Sequence, residues 1–289
     1  MKSRFGLAAL IVLGFIFPSA LEQKKDLNVL LRESTFKIRV ARKLGPGEEI
    51  PHGKFLLSEG TAFIVGRATT PHASHLTPVL ITTKHLVENM EGDLASIIFR
   101  VKTKSGAFKI LPYDFKLREQ GQPLYQEHES ADVIAMYLTL PKEVKLSLIT
   151  MDLLGGDEQL EEFEIREGDT LLTLGFPVGT AATEAGFPSL QSGKIASYPI
   201  TPAKLIKNFY LDYHVLPGNS GGPVYFSGTN RKFGRAEHSG ETIQFIAGLV
   251  SQRTLPSPEN KEKEPVLAVV VPAQFIKETI EMLPTPRKE

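Results

Sequence analysis

The 289-residue chain contains no cysteine. That absence removes disulfides, thiolate metal sites, iron–sulfur clusters, cysteine nucleophiles and a lipidated cysteine. Chemistry here has to use oxygen, imidazole or amine groups. An excess of charge is also lacking, because 33 Lys and Arg balance 33 Asp and Glu. Without a basic field, nucleic acid and anionic membrane surfaces are disfavoured as partners. The continuous apolar run Phe5 to Phe17 has 13 residues, short of the roughly 20 that a bilayer-spanning helix needs. With 42% hydrophobic and 23% charged side chains, the chain is expected to bury one large core or two smaller ones rather than stay disordered.

Lys2 and Arg4 precede that run, and Pro18-Ser19-Ala20 follows it. A charged head, an apolar middle and a small residue have the layout of an export signal over residues 1–20. The expected location is therefore periplasmic or secreted, with a membrane attachment only if the segment stays uncleaved. Cleavage after Ala20 removes two cations and no anions, leaving 31 basic against 33 acidic residues. An exported chain without cysteine has to be held by packing and backbone hydrogen bonds.

After a short helix expected at Lys24–Leu31, the sequence runs as short stretches rich in Val, Ile, Leu, Phe and Thr, broken by Gly, Pro and charge. This is a mostly β pattern. Twelve strands are expected: 35–41, 60–66, 78–83, 95–103, 107–111 and 131–140, then 170–175, 190–198, 209–214, 223–226, 243–251 and 266–271. They divide six and six around the acidic segment Gly155–Glu167, which reads as a surface connector. Closing each set into an antiparallel barrel removes exposed edges. The domain reading is a signal at 1–20, an N-terminal barrel at 34–140, a connector at 141–168, a C-terminal barrel at 169–272 and a terminal helix at 273–283. In that helix Phe275, Ile276, Ile280 and Leu283 recur at helical spacing after Pro272. The loops Gly228–Glu241 and Pro256–Pro265 read as hydrophilic insertions, and the alternating charges of Glu259–Glu264 as a solvated face. Six residues follow Leu283, so no further domain is expected after the helix.

The segment Pro217-Gly218-Asn219-Ser220-Gly221-Gly222-Pro223-Val224 carries the most chemistry. Glycines around a serine permit a sharp turn, expose the hydroxyl and free successive N–H groups to converge on an oxyanion. Locally the pattern also satisfies the G-x-S-x-G elbow of α/β-hydrolases. Chain order argues against the elbow: Pro223–Phe226 continues as strand, no Asp follows Ser220, and the only downstream histidine is His238, in a polar loop. Upstream, His85 ends the apolar strand Leu80–Thr83, and Asp132 begins another, Ala131–Ala135. The order His85, Asp132, Ser220 is one of the arrangements a catalytic triad takes.

Seven segments in order carry a resemblance: Gly60–Phe63, Thr82–His85, Ala131–Ala135, Gly175–Gly179, Ser192–Ile195, the serine motif, and Val270–Pro272. The chain resembles the trypsin-like, chymotrypsin-fold serine peptidases, most closely the HtrA/Deg type, over about Phe36 to Leu283. The resemblance implies two six-stranded β-barrels with protein or peptide substrates in the cleft, and no cofactor or metal. Ser220 is then the nucleophile, His85 the base and Asp132 its partner, with the N–H groups of Gly218 and Ser220 as the oxyanion hole. Gly248–Gln252 resembles the family strand whose serine, here Ser251, bonds the triad carboxylate. The first substrate pocket would involve His214, Val250, Gln252, Arg253 and Val266. Bulky Val266 and Arg253 favour a small aliphatic side chain there, whereas His214 and Arg253 could instead attract an acidic one.

Neutral Asn219 stands where digestive relatives have an aspartate, so their activating ammonium–carboxylate pair cannot form and removal of the signal is expected to suffice. HtrA-type relatives commonly carry a C-terminal PDZ domain and assemble as trimers; no PDZ domain is expected after the terminal helix, so trimeric assembly is not carried over and the oligomeric state is not read. A catalytically silent peptide-binding protein on the same fold is the alternative. His72 and His75 have H-x-x-H spacing but no nearby carboxylate, which speaks against metal. His128, between Glu127 and Glu129, reads as a solvated loop residue. Gly186–Lys194 has the wrong glycine spacing for a phosphate loop.

Overall fold

The computed structural model describes residues 26–44, 48, 56–69, 75–178, 185–229, 232–233, 236–237, 242–254 and 266–285. The expected export signal, His72, His238, most of Gly228–Glu241 and all of Pro256–Pro265 lie outside the described residues.

Among the described residues the fold is mostly β. The N-terminal part runs α1 (Leu27–Ser34), β1 (Thr35–Arg42), β2 (Leu57–Ala68), β3 (Leu76–Thr82), α2 (Lys84–Glu88), β4 (Met90–Lys102) and β5 (Phe108–Lys116). Three two-residue strands follow, β6 (Arg118–Glu119), β7 (Gln122–Pro123) and β8 (Gln126–Glu127), then β9 (Ile134–Tyr137) and β10 (Ile149–Thr150). The C-terminal part comprises α3 (Asp157–Glu162), β11 (Thr170–Gly175), β12 (Ser189–Lys194), α4 (Ala203–Ile206), β13 (Phe209–Leu211) and β14 (Pro223–Thr229). It ends with β15 (Lys232–Phe233), β16 (Ala236–Glu237), β17 (Thr242–Arg253), β18 (Ala268–Pro272) and α5 (Ala273–Glu281).

Each of the twelve expected strands is present, in two large sheets. The second has six strands in the order β12-β11-β14-β17-β18-β13. Its outer strands meet where Ile195 and Leu211 form an antiparallel bridge, flanked by Ala196 N–H to the Tyr210 carbonyl at 2.8 Å. The first sheet differs from the expected six-stranded antiparallel unit. It has eight strands, ordered β5-β4-β1-β2-β3-β9-β8, with β10 added to β2, and β10 runs parallel. Its outer strands β5 and β8 do not pair with each other among the described residues. Between them the β6–β7 hairpin folds back on itself, and its Pro123 has no N–H to extend a ladder. The pairing therefore describes curled sheets, and not two closed six-stranded barrels.

Strand alternation explains how two curled sheets become one body. In β2, Ala62 and Ile64 point into the first sheet's interior, while Phe63 and Val65 point out into a separate core. β3 divides likewise, Leu80 inward and Val79 and Ile81 outward. In the second sheet Val224 and Phe226 face its own interior, whereas Tyr225, Ile246 and Leu249 join Phe63 and Val65. Successive side chains on a strand take opposite faces, so a strand buried on both sides reads as a continuous apolar run. The shared core is completed by Leu27, Leu30 and Leu31 of α1 and by Phe275, Ile276 and Ile280 of α5. Helix α1 is capped by Asp26, whose carboxylate accepts from the Asn28 N–H at 2.7 Å. Its eight residues run three further along the chain than expected.

The acidic Gly155–Glu167 is more than a surface connector. It forms α3, with Leu160 and Ile165 buried in the second sheet's core. Only its charged face meets solvent, and that face dominated the sequence pattern.

Arg100 on β4 is 8% exposed and faces no carboxylate at bonding distance among the described residues. Its guanidinium donates to the carbonyls of Arg32, Glu33 and Thr35 at 3.0, 3.0 and 2.9 Å, and to Gly186 at 2.9 Å. The Phe36 and Phe187 rings lie 4.5 and 4.6 Å from its carbon. Burial pulls its pKa down to about 10, which still leaves it charged at neutral pH. Because Arg100→Met leaves these carbonyls without their donor, we expect it to lose about 3 kcal/mol in urea unfolding. A loss under about 0.5 kcal/mol, the size of an ordinary surface change, would contradict this assignment.

Candidate active site

His85 is the second residue of α2, three residues beyond the end of β3. Asp132 lies in the turn that enters β9, where the His128 N–H donates to the Val133 carbonyl at 3.1 Å. Strands β3 and β9 are neighbours, with Thr82 opposite Ile134, so pairing alone brings the two side chains to the same sheet edge. His85 Nδ1 is 2.6 Å from Asp132 Oδ2, and the His85 backbone N–H donates to Oδ1 at 2.9 Å. Ser251, from β17 of the other sheet, donates its hydroxyl to the same Oδ2 at 2.5 Å. The His85 and Asp132 side chains are 41% and 26% exposed. Burial pushes the Asp132 carboxyl up, but the hydrogen bonds and charge of His85 and the Ser251 hydroxyl outweigh it. The net pKa lies below the ordinary carboxyl value of 3.8.

Ser220 sits in a tight turn, in which the Asn219 N–H donates to the Leu216 carbonyl at 3.1 Å and the Gly222 N–H to the Asn219 carbonyl at 2.9 Å. Gly218 and Gly221 have φ of +95° and +88°, the left-handed region that glycine tolerates. Space also demands glycine at both. A Cβ on Gly218 would stand 2.2 Å from the Phe176 carbonyl oxygen, and one on Gly221 1.9 Å from that of Thr61. Among the described residues, neither the Gly218 nor the Ser220 N–H has an acceptor.

Both sheets hold this turn. From the second, the Gly221 N–H donates to the Val250 carbonyl at 2.7 Å, and the Val250 N–H to Gly222 at 2.8 Å. From the first, the Thr61 N–H donates to the Ser220 carbonyl at 2.8 Å. The buried Thr61 hydroxyl donates to the Gly218 carbonyl at 2.7 Å and accepts from the Phe176 N–H at 3.1 Å. Thr82 in turn donates to the Thr61 carbonyl at 2.8 Å. A cleft of about 510 Å³ is lined by His85, Gly218 and Ser220, with Leu57, Glu59 and Val178 among its walls.

The structure thus joins His85, Asp132 and Ser251 by hydrogen bonds, and His85, Gly218 and Ser220 in one cleft. Gln252 is exposed and lines an adjoining cavity with His85, Asp132 and Ser251. Val250 has its side chain in the second sheet's interior. His214 and Arg253 are exposed and Val266 is half-buried; none of the three lines either cavity. Asn219 is 1% exposed, and its amide donates to Gln191 at 2.7 Å, a neutral pairing. No group of three or more His, Asp or Glu side chains suited to a metal ion occurs among the described residues.

The sequence assigns no site role to Thr61, Thr82 or His128, although both threonines lie in segments that carry the resemblance. The threonines suit any strand, so nothing in their local pattern sets them apart. His128 was expected to be solvated, yet its side chain is 11% exposed and its Nε2 lies 3.1 Å from Glu278 on α5. The partner is 150 residues away in the chain, beyond the reach of local patterning.

No family model matches the chain, and no curated protein matches it. Among solved structures, it is similar to the crystal structure of the protease Anisep from Arthrobacter nicotinovorans, at 13% sequence identity and a TM-score of 0.46, covering 86% of this chain and 94% of that one.

Proposed function

We propose that the chain is a serine endopeptidase of the trypsin-like kind, nearest to the HtrA/Deg type, exported through residues 1–20 and built on two barrel-like units. The observation that carries this reading is the hydrogen-bonded series Ser251–Asp132–His85, ending at an imidazole that shares its cleft with Ser220. An imidazole whose Nδ1 bonds a carboxylate presents Nε2 to accept a proton. Ser220 Oγ attacks the substrate carbonyl carbon while its proton passes to His85 Nε2. The developing oxyanion is met by the N–H groups of Gly218 and Ser220. The C–N bond then breaks, the amine leaves with the proton from His85, and Ser220 carries an acyl ester. Water, giving its proton to His85, attacks that ester, and the Ser220 oxygen leaves with the same proton. Asp132 keeps the imidazole in its tautomer and stabilises the imidazolium throughout.

The direct test is reaction with a fluorophosphonate probe together with hydrolysis of a protein substrate. Labelling and hydrolysis by the folded chain, both lost in Ser220→Ala, are expected. A folded protein that neither labels nor cleaves would leave the peptide-binding alternative standing.

Asp132 supplies a second test. Asp132→Asn keeps the shape but favours the wrong imidazole tautomer, and kcat is expected to fall on the order of 10⁴-fold. Stability should respond too. With the folded-state pKa lowered, the wild type binds fewer protons at this group when folded than when unfolded. Its contribution is present above the ordinary carboxyl value and is lost as pH falls through the depressed one. Urea unfolding between pH 6 and pH 3 should therefore weaken more steeply in the wild type than in Asp132→Asn. Equal slopes would mean that the carboxylate is not held as described.

A further inference from the structure

The turn that carries Asp132 is tied to the terminal helix through His128. Its Nδ1 accepts the Ser130 N–H at 3.2 Å. A ring nitrogen that accepts carries no proton, so the neutral ring has its hydrogen on Nε2. That nitrogen faces Glu278 Oε2 at 3.1 Å. The ring also lies against Phe275 of the same helix, with centroids 4.8 Å apart. Glu278 is itself oriented, accepting from Gln274 Nε2 at 2.9 Å on its other oxygen. Beyond the helix, Arg67 of β2 donates to the Leu283 carbonyl at 2.7 Å. The helix is thereby anchored to the first sheet as well as packed in the shared core. His128 thus joins a fixed helix to a four-residue turn whose Asp132 has to meet both His85 and Ser251.

We infer that His128 is a positioning residue for Asp132, transmitting the fixed placement of Glu278 and Phe275 on α5 to the carboxylate that orients His85. This rests on the peptidase reading for its consequence in catalysis, but not for its geometry. The imidazole lines the cavity beside His85 and Asp132 and acts through the turn rather than on the reacting atoms. Its effect is to restrict where Asp132 stands, and the 2.6 Å contact to His85 Nδ1 has little tolerance for a wandering partner.

The test compares the wild type with His128→Ala, Glu278→Ala and Glu278→Gln in the full chain. The readout independent of turnover is the far-downfield proton resonance of His85 Nδ1–H, which a short bond to a carboxylate produces. It is expected in the wild type and in Glu278→Gln, whose amide oxygen still accepts from His128. It should broaden or vanish in His128→Ala and in Glu278→Ala, which removes the same contact from the helix side should His128→Ala not fold. In peptide hydrolysis, the Ala variants should lose about tenfold in kcat with KM within about twofold of wild type, the pattern of a displaced catalytic partner rather than a lost binding contact. Folded Ala variants that keep the resonance and kcat, and lose only thermal stability, would overturn the inference and leave His128 a structural residue. If the resonance behaves as stated but wild type is unreactive to fluorophosphonate, the positioning role stands and the peptidase reading fails.

Discussion

Replacing Ser220 by alanine should lower kcat for peptide hydrolysis by on the order of a million-fold while leaving the fold intact, because nucleophile and base act as one unit and removal of either ends covalent catalysis. Little else should change. The Ser220 side chain makes no hydrogen bond to another described residue, and the anchoring of the turn runs through its carbonyl, which accepts from Thr61 at 2.8 Å. Urea midpoints of Ser220→Ala and wild type should therefore agree within the roughly 0.5 kcal/mol of an ordinary surface change. His85→Ala should cost a similar factor, and the double variant should be no worse than either single one. Multiplying losses in the double variant would show that the two residues act independently, against the mechanism proposed.

The largest effect on folding is expected at Gly221. Gly221→Ala meets two obstacles at once, a φ of +88° and a carbonyl oxygen of Thr61 at 1.9 Å from the new Cβ. The first alone costs about 1–2 kcal/mol. The second cannot be relieved by turning a side chain, since the obstructing atom belongs to the backbone of β2, and Thr82 Oγ1 stands 2.5 Å away as well. Moving that backbone disturbs the Thr82-to-Thr61 and Thr61-to-Gly218 bonds together. A loss above about 4 kcal/mol, or failure to accumulate folded protein, is the expected result. Gly92→Ala is the control, because φ there is +74° with nothing within 4 Å of the new atom. If both variants lose the same small amount in urea unfolding, the close approach of the serine turn to β2 is not as described.

Much of this architecture is legible in the sequence because strands buried on both faces leave a plain signature. Phe63-Ile64-Val65 and Val79-Leu80-Ile81 are continuous apolar runs, and each alternates between one sheet's interior and the shared core. Boundaries were harder to read where chemistry is mixed. β5 extends to Lys116, five residues beyond its expected end, although Pro112, Asp114 and Lys116 interrupt the apolar pattern. They still pair in register, with Pro112 opposite Ile98, because one face of this outer strand is solvated. The expected strand 131–140 shrinks to Ile134–Tyr137, since Ser130–Val133 form the turn that presents Asp132. The extra pairings of β8 and β10 are too short to carry a periodicity.

At the site, His85, Asp132 and Ser220 were each visible because a strand end or a glycine frame marked them. Ser251 was reached only through the family resemblance, and it donates to Asp132 across the two sheets. The side chains that hold the arrangement together gave no local sign. Thr61 sits in a strand that would accept any β-branched residue, and His128 meets its partner only after α5 has packed. Contacts of this kind depend on the assembled core, and are set by which faces meet rather than by neighbours in the chain.

The most direct measurement of the central claim is the site at which the folded full chain reacts with a fluorophosphonate, mapped by mass spectrometry of its proteolytic peptides. A single phosphonyl adduct on the Ser220 hydroxyl, absent after acid unfolding and greatly slowed in His85→Ala, is the predicted result. An adduct on some other residue, or a Ser220 that reacts as readily in the unfolded chain as in the folded one, would contradict the account.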